Sequence, residues 1–248
     1  MLRPMNGRNQ WFLGHLLQVP VFIDIGAAIT VLWIAMAFQG DLRRIILAIV
    51  AFLATIVLHE LGHALAARAR GMLGIHIVIS ALGGYCSYAG SDRPSSRLMI
   101  SLAGPAVNFL LVAIMSMVFM IMAASYTKEL AEPVSQWQVM MLAMTRNLPQ
   151  VGELGSLFYE LAALAFWVNL ALGILNSMPV FPMDGGQAVY RFLQMCTDER
   201  RARSGTLAMS LIGAIACIAL FTWWQGQPSN FIIILMLFLL FQAWRILA

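Results

Sequence analysis

The sequence predicts an all-α polytopic membrane protein. It has about six transmembrane helices and a small membrane-associated β-hairpin between the second and third. Three observations carry this. The 248 residues are 61% apolar and only 10% charged, against roughly 45–50% and about 25% in soluble globular domains. The apolar residues gather into six runs, each near the ~20 residues a helix needs to cross a bilayer. Between the second and third runs, Ile75-His76-Ile77-Val78-Ile79-Ser80 and Tyr85-Cys86-Ser87-Tyr88 flank a Gly83-Gly84 pair, the composition of a hairpin.

The first run, 22–38, carries Asp24 near its start. The second begins near Ile45 and continues without a charge through Leu58, then passes through His59-Glu60-Leu61-Gly62-His63 to about residue 67. The others are 98–124, 157–177, 205–224 and 231–247. Residues 1–21 form an N-terminal cytoplasmic or interfacial segment without the compact apolar core and small-residue cleavage site of a signal peptide. Residues 22–248 form one six-span domain. The loop 125–156 is polar by the standards of this chain and too short for a folded extramembrane domain. No soluble domain is expected beyond the sixth span.

Six spans place both termini on one side, and the basic residues select it. Arg3, Arg8, Arg68, Arg70, Arg93, Arg97, Arg191, Arg200, Arg201, Arg203 and Arg245 fall on the side of the termini. Arg43, Arg44, Lys128 and Arg146 fall on the other. Cytoplasmic loops are enriched in Lys and Arg, so both termini are expected in the cytoplasm. The net charge of +4 then reflects basic cytoplasmic loops. The composition excludes a soluble domain, a disordered chain and a nucleic-acid-binding module. Cys86, Cys196 and Cys217 form neither a disulfide framework nor a CxxC site and read as packing residues.

The chemistry concentrates in the second run. Two of the four histidines fall in His59-Glu60-Leu61-Gly62-His63. On a helix, positions i and i+4 share a face, so both imidazoles can reach one metal ion, and the glutamate between them can serve as general base toward a metal-bound water. Ionisable groups inside a span are costly and mark functional sites. The bland alternative is a polar contact between helices. His15 reads as interfacial and His76 as a loop or strand residue. Catalytic zinc takes three protein ligands and an open position. Position 69 is alanine, so a third histidine six residues on is excluded, and Asp24, Glu160 and Asp184 are the acids at membrane depth. Asp184 follows Pro179 and Pro182 and precedes Gly185-Gly186. These residues interrupt a helix, and broken backbone at membrane depth is tolerated where it is buried or lines a watery cavity.

Together His59-Glu60-x-x-His63, Gly104-Pro105-Ala106-Val107-Asn108 and Asn176-x-x-Pro179-x-x-x-x-Asp184-Gly185-Gly186 resemble the site-2 protease family of intramembrane zinc metalloproteases, in order and in spacing. The resemblance covers about residues 20–195. It implies His59, His63 and Asp184 as ligands of one zinc ion, Glu60 as the catalytic glutamate, and Asn108 near the site in substrate or oxyanion binding. Met183 stands where leucine is commoner, and Phe181 where a second proline is frequent. The chain resembles a minimal member, without PDZ or cystathionine-synthase-type domains.

The resemblance also implies hydrolysis of a peptide bond in or near the transmembrane segment of another protein. Membrane-tethered transcription factors and anti-sigma factors are the kind of substrate known in the family. The setting it implies is a prokaryotic cell membrane. A helical substrate has its carbonyls committed to i to i−4 hydrogen bonds and must unwind. The hairpin at 75–88 offers either a strand edge for an extended substrate or a plug at the membrane surface. Two rival readings stand beside this one. A membrane metal-ion transporter needs ligands at successive depths, and the fifth run holds no ionisable residue. A different membrane zinc protease would use Glu160 as third ligand.

Overall fold

The computed structural model describes residues 10–38, 40–81, 83–90, 93–130, 133–145 and 152–248. Arg3, Arg8, Arg146 and the Lys128 side chain, which enter the charge argument, lie outside the described residues. In chain order the elements are β1 (Gln10–Leu16), β2 (Val19–Asp24), α1 (Ala27–Ala37), α2 (Leu42–Ala69), β3 (Leu73–Ser80), β4 (Gly83–Ala89), α3 (Pro94–Leu130), α4 (Gln136–Thr145), α5 (Glu153–Ser177), α6 (Asp184–Cys196), α7 (Glu199–Gln225) and α8 (Asn230–Leu247). Five of the helices, α2, α3, α5, α7 and α8, are long and apolar enough to cross a membrane. Their exposed residues are largely Leu, Ile, Met, Phe and Trp, as expected where lipid is the solvent.

The first expected span is not a membrane-length helix. Residues 22–38 are the end of β2 followed by α1, which has 11 residues and at 1.5 Å per residue is about 16 Å long. The reason is local. Val19, Val21 and Ile23 favour extended backbone. Asp24 Oδ1 then accepts the Gly26 N–H at 2.7 Å, a side-chain turn that stops the strand. A Cβ on Gly26 would lie 2.8 Å from Asp24 Oδ1 and 2.9 Å from the Ala81 nitrogen, so the turn requires glycine. Asp24 is thereby committed to a backbone contact.

The expected hairpin is half of a larger sheet. Its strand order is β1-β2-β3-β4. β1 and β2 are antiparallel, from Gln10↔Asp24 to Leu16↔Val19, with a register shift between Phe12 and Gly14. β2 and β3 are parallel through Val21↔Ile77, Phe22↔Val78 and Ile23↔Ile79. Ile77, Val78 and Ile79 are consecutive and all buried, the signature of an inner strand covered on both faces. Only β1 and β4 present outer edges. A proline at Ile77 would therefore break the sheet interior.

The chain forms two compact units. One comprises residues 1–61, 75–87 and 106–172. Its described part holds the sheet and a core of Phe119, Met122, Val139, Met140 and Phe166. Val139 and Met140 belong to α4, a helix inside the stretch expected to be a polar loop. The other comprises residues 62–74, 88–105 and 173–248, with cores around Val180, Ala214 and Met236 and around Phe181, Tyr190, Ala202 and Ala243.

Candidate metal centre

His59, Glu60 and His63 lie on α2 and are buried, at 6%, 5% and 7% exposure. A buried imidazole needs a partner for its N–H, and each ring finds an oxygen at Nδ1. His59 Nδ1 faces Asn108 Oδ1 at 2.5 Å. His63 Nδ1 donates to the Ile100 carbonyl at 2.7 Å. Ile100 and Asn108 lie on α3, on either side of Pro105. Proline removes a helical N–H and crowds the carbonyl four residues back, which loosens the carbonyl ladder beside Ile100.

Asp184 begins α6, where a carboxylate suits the positive end of the helix dipole. The two glycines after it are sterically required. A Cβ on Gly185 would stand 2.3 Å from the Ser177 carbonyl oxygen, and one on Gly186 2.2 Å from the Phe181 nitrogen. The start of α6 thus folds directly onto the backbone of 177–181. That segment is pinned from α7: the Phe181 N–H donates to Ser210 Oγ at 3.0 Å, and Ser210 donates to the Thr206 carbonyl at 2.8 Å.

Asp184 Oδ2 comes within 3.2 Å of His63 Nε2. One ligand atom from each of His59, His63 and Asp184 lies within 4.8 Å of the others. The donor set fits zinc. In the neutral ring the Ile100 carbonyl can only accept, so the His63 proton sits on Nδ1 and the Nε2 lone pair faces the carboxylate. Two acceptors at this distance repel unless a proton or a metal cation stands between them. Their 3.2 Å separation matches the edge of a zinc tetrahedron, about 3.3 Å for arms of about 2.0–2.1 Å.

The other acids have different partners. Glu160, 1% exposed, pairs with Arg43 at 3.0 Å and Arg44 at 3.4 Å. Glu160 and Asp24 therefore each have a local role, and Asp184 is the acid beside the histidines. Glu60 is closely approached by β4: a Cβ on Gly84 would lie 3.1 Å from Glu60 Cγ and 3.0 Å from Ile56 Cγ2, so glycine lets the strand backbone reach the helix. On the same strand, burial and then the Glu60 charge push the Cys86 thiol up to about 12, which keeps the free thiol protonated at neutral pH.

The model of peptidase family M50 matches residues 47–220, which include both histidines, Glu60, Asn108 and Asp184. This chain belongs to peptidase family M50. Among curated relatives it is 28% identical to Rip3 of Mycobacterium tuberculosis over 173 residues, 69% of this chain and 37% of the relative. It is 25% identical to sll0528 of Synechocystis over 219 residues, 83% of this chain and 49% of the relative. Both carry names that describe zinc metalloproteases. The M50 chain thus spans between about a third and a half of these relatives. The fold is that of the site-2 protease from Methanocaldococcus jannaschii, with a TM-score of 0.54, 21% identity and coverage of 95% of this chain and 94% of that one.

Sequence reasoning missed two polar residues of the site region. Asn169 on α5 and Thr55 on α2 are each 1% exposed. Asn169 Oδ1 accepts from Asn108 Nδ2 at 2.9 Å, and Asn169 Nδ2 donates to Thr55 Oγ1 at 2.9 Å. The available signal was a lone asparagine inside an apolar span, which is costly unless it is bonded.

Proposed function

We propose that this M50 chain is an intramembrane zinc endopeptidase that cuts a peptide bond in or near a transmembrane segment of another membrane protein. The observation that carries the reading is the approach of Asp184 to His63 beside His59, with Glu60 in the same helical turn. His59, His63 and Asp184 hold the zinc. When bound, zinc supplies a Lewis acid that polarises a carbonyl and makes a water acidic enough to lose a proton near neutral pH.

The chain's own groups do the rest. Glu60 takes the water's proton and passes it to the leaving amine. Asn108 orients His59. Its Oδ1 is taken by the imidazole and one Nδ2 hydrogen by Asn169, which favours support of the ligand over the oxyanion role that the resemblance implies. Substrate enters as extended chain, and β4, an outer strand beside Glu60, is the edge best placed to pair with it.

For orientation, Arg68, Arg70, Arg93, Arg97, Arg200, Arg201, Arg203 and Arg245 lie at the ends of α2, α3, α7 and α8 that alternate onto one side, and Arg43 and Arg44 lie at the other end of α2. The arginine-rich side, with the motif end of α2 and the C-terminus, faces the cytoplasm. β2 and α1 together make the first crossing, with the strand's backbone paired on both sides. The bacterial relatives favour a prokaryotic cell membrane, and membrane-tethered regulators are the substrate class to try first. Among the described residues, the metal-competent side chains form a single group, which favours hydrolysis over transport.

The deciding experiment is reconstitution with a single-span test substrate. Glu60→Gln should keep zinc and abolish cleavage. Equal cleavage by the variant and the unmodified protein overturns the reading.

A further inference from the structure

The polar residues behind His59 form a directional chain. Thr55 lies four residues before His59 on α2, so the two share a face. Asn169 Nδ2 donates both to Thr55 Oγ1 at 2.9 Å and to the Ala165 carbonyl at 2.8 Å. Asn108 Nδ2 donates to Asn169 Oδ1 at 2.9 Å. Asn108 Oδ1 faces His59 Nδ1 at 2.5 Å. Asn108 is 0% exposed, and Asn169 and Thr55 are 1% exposed, so water does not compete for these bonds.

An amide can be turned end for end with little change of shape, so only its partners fix which end points where. One partner here is unambiguous. A backbone carbonyl can only accept, so the Asn169 atom beside Ala165 must be the NH2. Both of its hydrogens are then used, on Ala165 and on Thr55. The oxygen of Asn169 must face Asn108, which turns the Asn108 NH2 toward it. The oxygen of Asn108 must face His59, and His59 must carry its proton on Nδ1. In that tautomer of the neutral ring the lone pair is on Nε2.

We propose that Asn169 and Thr55 are positioning residues for the metal centre, with the Ala165 carbonyl fixing the polarity of the Asn169–Asn108 pair and thereby the metal-binding tautomer of His59. The proposal rests on His59 being a zinc ligand. Removing such an outer partner of a ligating histidine costs about 10–100-fold in metal affinity. Asn169 carries the polarity, so its loss lets Asn108 turn over and offer its NH2 to His59. Thr55 adds one neutral bond to an amide already anchored on Ala165, so its loss is small.

The test has two parts. Nitrogen-15 spectra of histidine-labelled, metal-free protein in detergent, above the pH at which imidazoles are protonated, give the ring tautomers, and His59→Gln identifies the His59 signals. A proton on Nδ1 is expected, and a proton on Nε2 overturns the proposal without any variant of the chain behind it. Zinc dissociation constants come next, from competition with a chelator. Asn169→Leu, close in shape, should raise the constant about 10–100-fold. Thr55→Val should stay within about threefold. An unchanged constant in Asn169→Leu overturns the proposal. If the unmodified protein binds no zinc, the metal reading falls on its own, and the tautomer still decides the polarity chain.

Discussion

Helix α2 carries one polar cluster near its start and another near its middle, and the two are built on different principles. Near its start, Arg43 and Arg44 meet Glu160, and Arg44 also meets Asp41 at 3.5 Å. Two cations face two anions, and Arg44 Nη2 donates further to the Met144 carbonyl at 2.5 Å. Further along, Thr55, His59, Asn108 and Asn169 are joined by neutral hydrogen bonds. The first cluster cancels its own charge and ties α2 to α4 and α5. The second leaves the Nε2 side of an imidazole directed away from its support. On the proposed function, the amides orient the imidazole without adding a charge beside it.

The largest expected break in this contrast is chemical. Glu60→Gln should lower cleavage by about 10²–10⁴-fold with zinc content unchanged, measured by elemental analysis beside the reconstituted assay. Loss of zinc together with activity would assign Glu60 to the ligand set. Next is the identity of the third ligand. Asp184→Ala should empty the centre of zinc and Glu160→Ala should not; the reverse pattern would move the metal to the first cluster. A smaller effect is structural. Glu160→Gln leaves two arginines without their shared anion, and because both are about a third exposed the cost should be about 1–3 kcal/mol, read as a lower thermal midpoint with zinc affinity retained. Gly84→Ala crowds Glu60 and Ile56 at 3.0–3.1 Å and should reduce cleavage more than stability.

The smallest effect concerns Cys86. Its raised pKa means less thiolate at pH 8 than an ordinary cysteine has, so maleimide labelling should be slower there than at Cys196, which is exposed. Raising the pH toward 12 should narrow the gap. Equal rates at pH 8 would show that β4 does not shield the thiol.

The candidate ligands His59 and His63 were legible in the sequence because a helix fixes their spacing. Two histidines four apart share a helix face, and a Pro and Gly-rich break around an acid marks where a third group can join them. The Asp184 loop was legible as a break, though not that Gly185 and Gly186 are there to let backbone touch backbone. The pairing of Asn169 with Thr55 could not be read because a single amide and a single hydroxyl, 114 residues apart, have no period; the lone asparagine in an apolar span was the one signal. Strand β2 was hidden for another reason. Its apolar residues run without interruption into those of α1, and a hydropathy window has no means of seeing a change of backbone within it. Asp24 and Gly26 were the only punctuation. Likewise α4 sits in a stretch whose polar flanks masked the apolar face of Val139, Met140 and Ala143.

On the proposed first crossing, the union of β2 and α1 changes how much chain a membrane needs. A strand advances about 3.3 Å per residue and a helix 1.5 Å. Laid end to end, the six residues of β2 and eleven of α1 would reach at most about 36 Å, whereas the same number coiled into one helix would reach about 26 Å. The hydrocarbon core is about 30 Å thick. On that reading, a segment too short to cross as a single helix is long enough as a strand that becomes one, and the neighbouring strands β1 and β3 would supply the backbone partners that lipid cannot.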